Sequence, residues 1–518
     1  MSVTSQKLTG DVRIDGILSG YQKWAGSTLT FSFATAESTW KTDYTDPNGL
    51  PYQPVYSAVP DAMLSNLRQA IATWSSYLGI GFNEVKDDAA GHGDMRVAFS
   101  TDPLQPTASL GAYPGDGPGG DVWLNSSSLK ETDYAPGTGY YQALLHEIGH
   151  ALGLKHPFEA TPANHVTLDP DHAIRLYTTM AYNWDAAGSL LWPTLFNTTP
   201  MPYDILAAQS LYGANPTTNA GDTAYTFTQS GKYFQTVYDA GGVNAFRYDG
   251  GQDVRIDLHD GAGSYMGTEN WFLDAHTGAK VERFPNVWIA FGTQITQAQG
   301  GTGNDTLIAN DHGNILTGGA GNDQLYDGAG SDTFDGGSGF DTVFYNSSSD
   351  KVSITLGSDH HASIVTVASQ ASDSLVNVER VHFSDHDVAL DIDGNAGMAY
   401  RLYRAAFDRT PDQTGLGFWI GQLDKDAKLN DIAAGFIGSQ EFQQLYGAAP
   451  SNAEFLSRVY QNVLHRTPDQ AGYDFWLDTL DHGGTPRAQV LAQVSESQEN
   501  VAQVAELVGH GISYTPYG

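Results

Sequence analysis

Residues 144–157 read LLHEIGHALGLKHP. His146 and His150 are four apart, which on a helix puts both side chains on one face, about one turn from each other. Both can reach one metal ion, with Glu147 beside them. Leu144, Leu145, Ile148 and Leu152 make the other face apolar and suited to a core. Gly153 falls where the helix must stop, and glycine tolerates the backbone angles of a sharp exit. That turn can bring His156 back to the same ion. Three nitrogen ligands leave a fourth position for water, as in a catalytic zinc centre, where Glu147 would be the general base. A bare HExxH is a weak signal; Gly153 and His156 at these offsets make it specific.

Such a site needs a scaffold, and the flanking sequence reads as mixed α/β. In residues 60–78, Leu67, Ile71, Trp74 and Leu78 share one helical face, with Pro60 and Asp61 at the start. Residues 95–100, MRVAFS, alternate like a strand, and residues 110–125 read as two short strands around a Gly/Pro turn. At 518 residues the chain is too long for one ordinary core, so several domains are expected.

The formal charge is -34, with 25 basic residues against 59 acidic ones. This argues against nucleic acid or anionic lipid as partners, which need clustered Lys and Arg, and it suits calcium, which takes oxygen ligands. With no cysteine, disulfides and thiolate metal sites are excluded. The first twenty residues lack a basic patch followed by an apolar run, and no run of about 18 apolar residues occurs, so neither a signal peptide nor membrane insertion is expected. A soluble protein is expected, either cytoplasmic or exported by a route that needs no N-terminal signal.

A nine-residue period runs GGTGNDTLI, ANDHGNILT, GGAGNDQLY, DGAGSDTFD, GGSGFDTVF over residues 300–344. It matches the G-G-x-G-x-D-x-U-x pattern of calcium-binding parallel β-rolls, in which glycines expose carbonyl oxygens, the aspartate ligates calcium and U packs inside. The candidate calcium residues are Gly301, Gly303, Asp305, Gly319, Gly321, Asp323, Asp332, Gly337, Gly339 and Asp341. A second repeat follows: RTPDQTGLGFW at 409–419 returns as RTPDQAGYDFW at 466–476. The Asp412/Gly415 and Asp469/Gly472 pairs suggest a loop entering a helix, with Phe418–Trp419 and Phe475–Trp476 in the core. His165, His172, His312 and the pair His360–His361 have no ligand spacing and read as surface residues.

HEIGHALGLKHP resembles the H-E-x-x-H-x-x-G-x-x-H site of metzincin proteases, and the proline after His156 is similar to the serralysin branch. The stretch YTTMAYNW at 177–184 supplies the methionine turn expected beneath the zinc, with Met180 as its methionine. By this resemblance Tyr182 is a further zinc ligand at rest, swings off the metal and donates to the developing oxyanion; Ala181 replaces the usual serine. Leu110, Gly111, Ala112 and Tyr113 resemble the edge strand that pairs with an extended substrate, and residues 199–215 resemble the helix that closes the catalytic domain. The β-roll resemblance implies two units per coil, so Asp305, Asp323 and Asp341 share one edge while Asn314 and Asp332 share the other. Asn314 replaces an aspartate, so that edge should bind less calcium. Asn244 likewise stands where aspartate is usual, which leaves one calcium site in doubt.

The expected architecture is multidomain: an α/β metzincin catalytic domain, an all-β calcium-binding parallel β-roll domain and an α-helical C-terminal domain. The expected boundaries are 1–20 for an N-terminal arm or propeptide, 21–215 for the protease, 216–392 for the roll and 393–518 for the helical repeats. Serralysins normally end soon after the roll; residues 394–419 instead look like an uncharacterised repeat domain of large exported bacterial surface proteins. The resemblance implies a secreted, extracellular zinc endopeptidase with one catalytic Zn2+ and several structural Ca2+. Its implied partners are protein or peptide substrates and the type I secretion apparatus, with cell-surface proteins as candidates for the C-terminal domain. The alternative is a surface-attachment or assembly protein whose protease domain is inactive or dedicated to one processing event.

Overall fold

The computed structural model describes residues 1–40, 55–100, 109–115, 119–126, 130–357 and 361–517. It divides into two compact units, Met1–Ala298 and Gln299–Gly518.

The first unit is built on a six-stranded sheet. Gly81–Glu84, Thr28–Phe33, Met95–Ser100 and Asp121–Asn125 run parallel in that order, Leu110–Gly111 closes the edge antiparallel to Asp121–Asn125, and Tyr56–Ser57 pairs antiparallel with Met95–Ser100. Met95–Ser100 is buried on both faces, because it lies mid-sheet under helices. Its alternating letters therefore do not mark a half-exposed strand. A 3-10 turn at Asp61–Met63 leads into the helix Leu64–Tyr77, whose Leu67, Ile71 and Trp74 are buried, as is Leu78 just beyond it. The helix Gly139–Ala151 packs beside it, and the Trp74 indole N–H donates to the Leu145 carbonyl at 3.2 Å. The apolar face Leu144, Leu145, Ile148 and Leu152 is fully buried.

In the second unit the nine-residue period becomes alternation between two parallel sheets. Thr306–Ile308, Gln324–Tyr326 and Thr342–Phe344 pair in one, and Ile315–Ala320 pairs with Thr333–Ser338 in the other. Partners are eighteen residues apart, two units, as in Leu307↔Leu325↔Val343 and Leu316↔Phe334. All five of these apolar residues are fully buried.

Eight helices from Asn395–Phe407 to Gln498–Val508 follow, the second four repeating the first. Asp412 and Asp469 cap equivalent helices, each carboxylate accepting the N–H three residues on, of Gly415 at 2.7 Å and Gly472 at 2.8 Å. The strand Ile512–Tyr514 ends the fold by pairing with Asp387–Ala389.

One expectation needs correction. Trp419 packs edge-on against Phe436 at 4.9 Å and Trp476, also partly buried, packs against the same core, but Phe475 is 62% exposed. The physical reason is the C-terminal segment, which lies along the first repeat only. Thr515 donates to the Gln413 carbonyl, Tyr517 meets Phe418 at 5.0 Å, and a Cβ on Gly417 would lie 1.9 Å from the Thr515 oxygen. Asp474 stands at the position of Gly417 in the second repeat.

No helix among the described residues is long and apolar enough to cross a membrane. His165, His312 and His361 are exposed and His172 is partly so; His360 lies outside the described residues.

Candidate metal centre

The helix Gly139–Ala151 presents His146 and His150, and the turn at Gly153 (φ +101°) returns His156 to them. The Nε2 of His156 lies 3.2 Å from that of His146 and 3.1 Å from that of His150. Each Nδ1 already faces an acceptor: the Thr179 carbonyl for His146 at 2.8 Å, the Leu154 carbonyl for His150 at 2.7 Å, and the Glu159 carboxylate for His156 at 2.8 Å. Those acceptors fix the proton on Nδ1 of each ring, so three Nε2 lone pairs converge. Three acceptors facing one another repel, and a cation at their focus resolves the conflict. The donor set, three neutral imidazoles, suits zinc. Burial keeps the His146 and His150 rings neutral, lowering His150 to about 4 and His146 well below its ordinary value.

Glu147 is buried beside the triad, and burial pushes its carboxyl up to about 8, against the opposing pull of the Gly111 N–H. Gly111 has no room for a side chain: a Cβ there would lie 2.2 Å from the Glu147 carbonyl oxygen and 2.8 Å from the His150 Cβ. The edge strand Leu110–Gly111 is thus pressed against the ligand helix, with Leu110 exposed. Ala112 is tied back to the sheet through Asp121 and Gly120, while the Tyr113 ring meets His150 edge-on at 5.6 Å. The Tyr182 hydroxyl sits 2.8 Å from the His156 Nε2, its ring 53% exposed.

Met180 is fully buried, and a Cβ on Gly149 would lie 2.6 Å from its sulfur, so a second glycine of the helix admits the methionine. The sequence reading missed the support for this turn. Asp204, fully buried, accepts from the Thr178 hydroxyl and from the N–H and hydroxyl of Thr179. Arg175 donates to the Ala181 carbonyl at 3.2 Å and to Gln142 at 3.1 Å. Glu159 was missed as well. None of these has a motif spacing; only His156 to Glu159, three apart, offered a signal.

Along the repeats, Asp323 accepts from the Asp305 N–H at 2.7 Å, Asp341 from Asp323 at 2.8 Å and Asp332 from Asn314 at 2.6 Å. A Cβ on Gly319, Gly321, Gly337 or Gly339 would lie 1.8–2.2 Å from the carbonyl oxygen two units earlier, of Gly301, Gly303, Gly319 and Gly321 respectively. Carbonyl oxygens therefore stack along the turns. The second carboxylate oxygens of Asp332 and Asp341 are buried without a hydrogen-bond partner, which suits a cation with oxygen ligands. Asp327 and Asp373 gather with Asp332, two residues the sequence reading did not single out. Asp327 occupies a glycine position of its unit, which was a readable signal; Asp373 lies outside the repeats. Asn314 uses its amide on Asn310, and Asn244 bridges the Thr223 N–H and the Gln294 carbonyl.

Residues 52–172 match the matrixin family, residues 296–312 and 308–343 match the RTX calcium-binding nonapeptide repeat, and residues 394–444 and 433–504 match a domain of unknown function (DUF4214). Over 292 residues, 50% of this chain and 56% of the relative, it is 34% identical to metalloprotease AprA of Pseudomonas entomophila. It is 32% identical to a serralysin of a Photorhabdus species over 54% of this chain and 58% of the relative. It is 32% identical to serralysin B of Dickeya chrysanthemi over 57% and 62%. Over this part the chain is similar to serralysin-type metzincins, and a region that matches DUF4214 follows.

The matrixin match implies zinc at the three histidines, and the RTX repeats imply calcium. The chain spans little more than half the length of these relatives.

Proposed function

We propose that this chain is a secreted zinc endopeptidase that hydrolyses peptide bonds in proteins. The observation that carries this reading is the convergence of three Nε2 atoms beside a buried glutamate and an edge strand. Bound there by His146, His150 and His156, zinc would supply an activated water and polarise the scissile carbonyl.

The remaining steps belong to side chains. The Glu147 carboxyl, which a bound cation would pull down from about 8, takes a proton from the attacking water and returns it to the leaving amine. Tyr182, with its hydroxyl at the triad, donates to the developing oxyanion. Leu110–Tyr113 aligns an extended substrate backbone, which gives affinity with little sequence selectivity.

Residues 21–215 form the protease region and residues 216–392 a β-roll. Asp305, Asp323, Asp332 and Asp341, with the carbonyls of Gly301, Gly303, Gly319, Gly321, Gly337 and Gly339, hold its calcium. Residues 393–518 are the helical repeats, which engage partners at the cell surface. The roll supports export by a type I apparatus and folding outside the cell.

The test is Glu147→Ala in the full chain. Casein cleavage is expected to vanish while one zinc remains bound; unchanged cleavage overturns the proposal.

A further inference from the structure

The turn that carries the third histidine is gripped by the beginning of the chain. Leu18 and Leu154 form an antiparallel bridge, the Ser19 N–H donates to the Gly153 carbonyl at 3.0 Å, and the Lys155 N–H donates to the Ile17 carbonyl at 2.6 Å. The Gln6 side chain locks this arrangement. Its Nε2 donates to the carbonyls of Gly153 and Gln22, both at 3.0 Å, and its Oε1 accepts from the Gly20 N–H at 2.8 Å. Gln6 is 8% exposed, and a Cβ on Gly153 would lie 2.4 Å from its Nε2. Gly153 thus serves a left-handed turn and a close approach at once.

Other contacts extend the grip. The buried Lys155 ammonium donates to the carbonyls of Gly16 at 2.7 Å and Val166 at 2.9 Å. Asn164 donates to the carbonyls of Asp15 and Leu18, and the Thr161 hydroxyl to that of Ser19 at 2.7 Å. Ile17 and Leu18 are fully buried in the core of this unit.

The gripped turn governs two of the three ligands. The Leu154 carbonyl orients His150 through Nδ1, and Lys155 is bonded directly to His156. Removing a group that orients a ligand histidine typically costs about 10–100-fold in metal affinity or activity. We propose that Gln6–Ser19 is a clamp on the ligand turn, with Gln6 as a positioning residue for the metal. In this role the N-terminal arm is a standing part of the zinc site rather than a removable propeptide. The inference rests on the zinc reading of the triad.

Zinc affinity of the full chain, measured by competition with a chromophoric chelator, tests it, together with the absorption spectrum of the cobalt-substituted protein. Gln6→Ala is expected to weaken zinc by about 10–100-fold and to shift the cobalt bands. Gln6→Glu, which sets a carboxylate against two carbonyl oxygens, is expected to do the same. Lys7→Ala, an exposed neighbour, keeps both values. Zinc held at wild-type affinity in both Gln6 variants overturns the clamp alone. Should circular dichroism show Gln6→Ala unfolded, Thr161→Val removes a single clamp hydroxyl; weaker zinc there supports the clamp, and wild-type affinity overturns it. A wild-type chain that takes up no zinc overturns the reading of the triad and the clamp with it.

Discussion

Asp204 holds Thr179 twice, accepting its backbone N–H at 2.6 Å and its hydroxyl at 2.8 Å. The carbonyl of that same threonine fixes the His146 ring. A carboxylate in the helix Pro202–Tyr212 thereby sets the aim of a metal ligand it never touches.

Asp204→Ala would leave the buried Thr179 N–H without an acceptor. Chemical denaturation is expected to show a loss of about 3 kcal/mol. Chelator competition should show weaker zinc by about 10–100-fold. Wild-type values in both would show that the methionine turn supports itself.

Gly111→Ala places a methyl group against the backbone of the ligand helix. The edge strand must withdraw, which also removes the Gly111 N–H from Glu147. Steady-state kinetics on a peptide substrate should show kcat/KM lower by about 100-fold, with the zinc content unchanged.

Tyr182→Phe deletes one hydroxyl from a half-exposed ring, so fold and zinc content should persist. A kcat lower by about 100-fold at nearly constant KM is the expected signature of a group acting in the transition state. A change confined to KM would assign the tyrosine to substrate binding.

Calcium removal should depend on pH in a defined sense. Burial, with Glu379 nearby, pushes the Asp341 carboxyl up to about 6, above its ordinary 3.8; burial and mutual repulsion push Asp327 and Asp332 upwards as well. The metal-free folded unit then holds more protons than the unfolded chain between about pH 4 and 6, so its stability falls as pH rises through that window. Calorimetry in chelator should find this unit melting higher at about pH 5 than at about pH 7.5. Added calcium should raise the melting temperature more at the higher pH. Equal melting at both values would mean that these carboxylates do not gather as described.

The local parts of the site and of the repeats are legible in the sequence. His146, His150 and His156 are fixed by helical period plus one glycine turn, and the eighteen-residue strand register follows from the nine-residue repeat. What stayed hidden depends on distant partners. Asp204 reads as an ordinary residue near a helix start until Thr179 is folded over it. Gln6 gives no hint that it reaches Gly153, 147 residues away. Phe475 and Trp476 copy Phe418 and Trp419 in letters, yet only the first pair has a C-terminal segment beside it, which a repeat pattern cannot encode.

The strand Ile512–Tyr514 has its own consequence. Its Tyr514 hydroxyl donates to Asp387, 127 residues earlier, so the helices are looped out between neighbouring strands of one sheet. Sheet and helices should therefore melt in a single calorimetric transition. A chain stopped short of Ile512 would leave Asp387–Ala389 as an open strand edge, a template for aggregation.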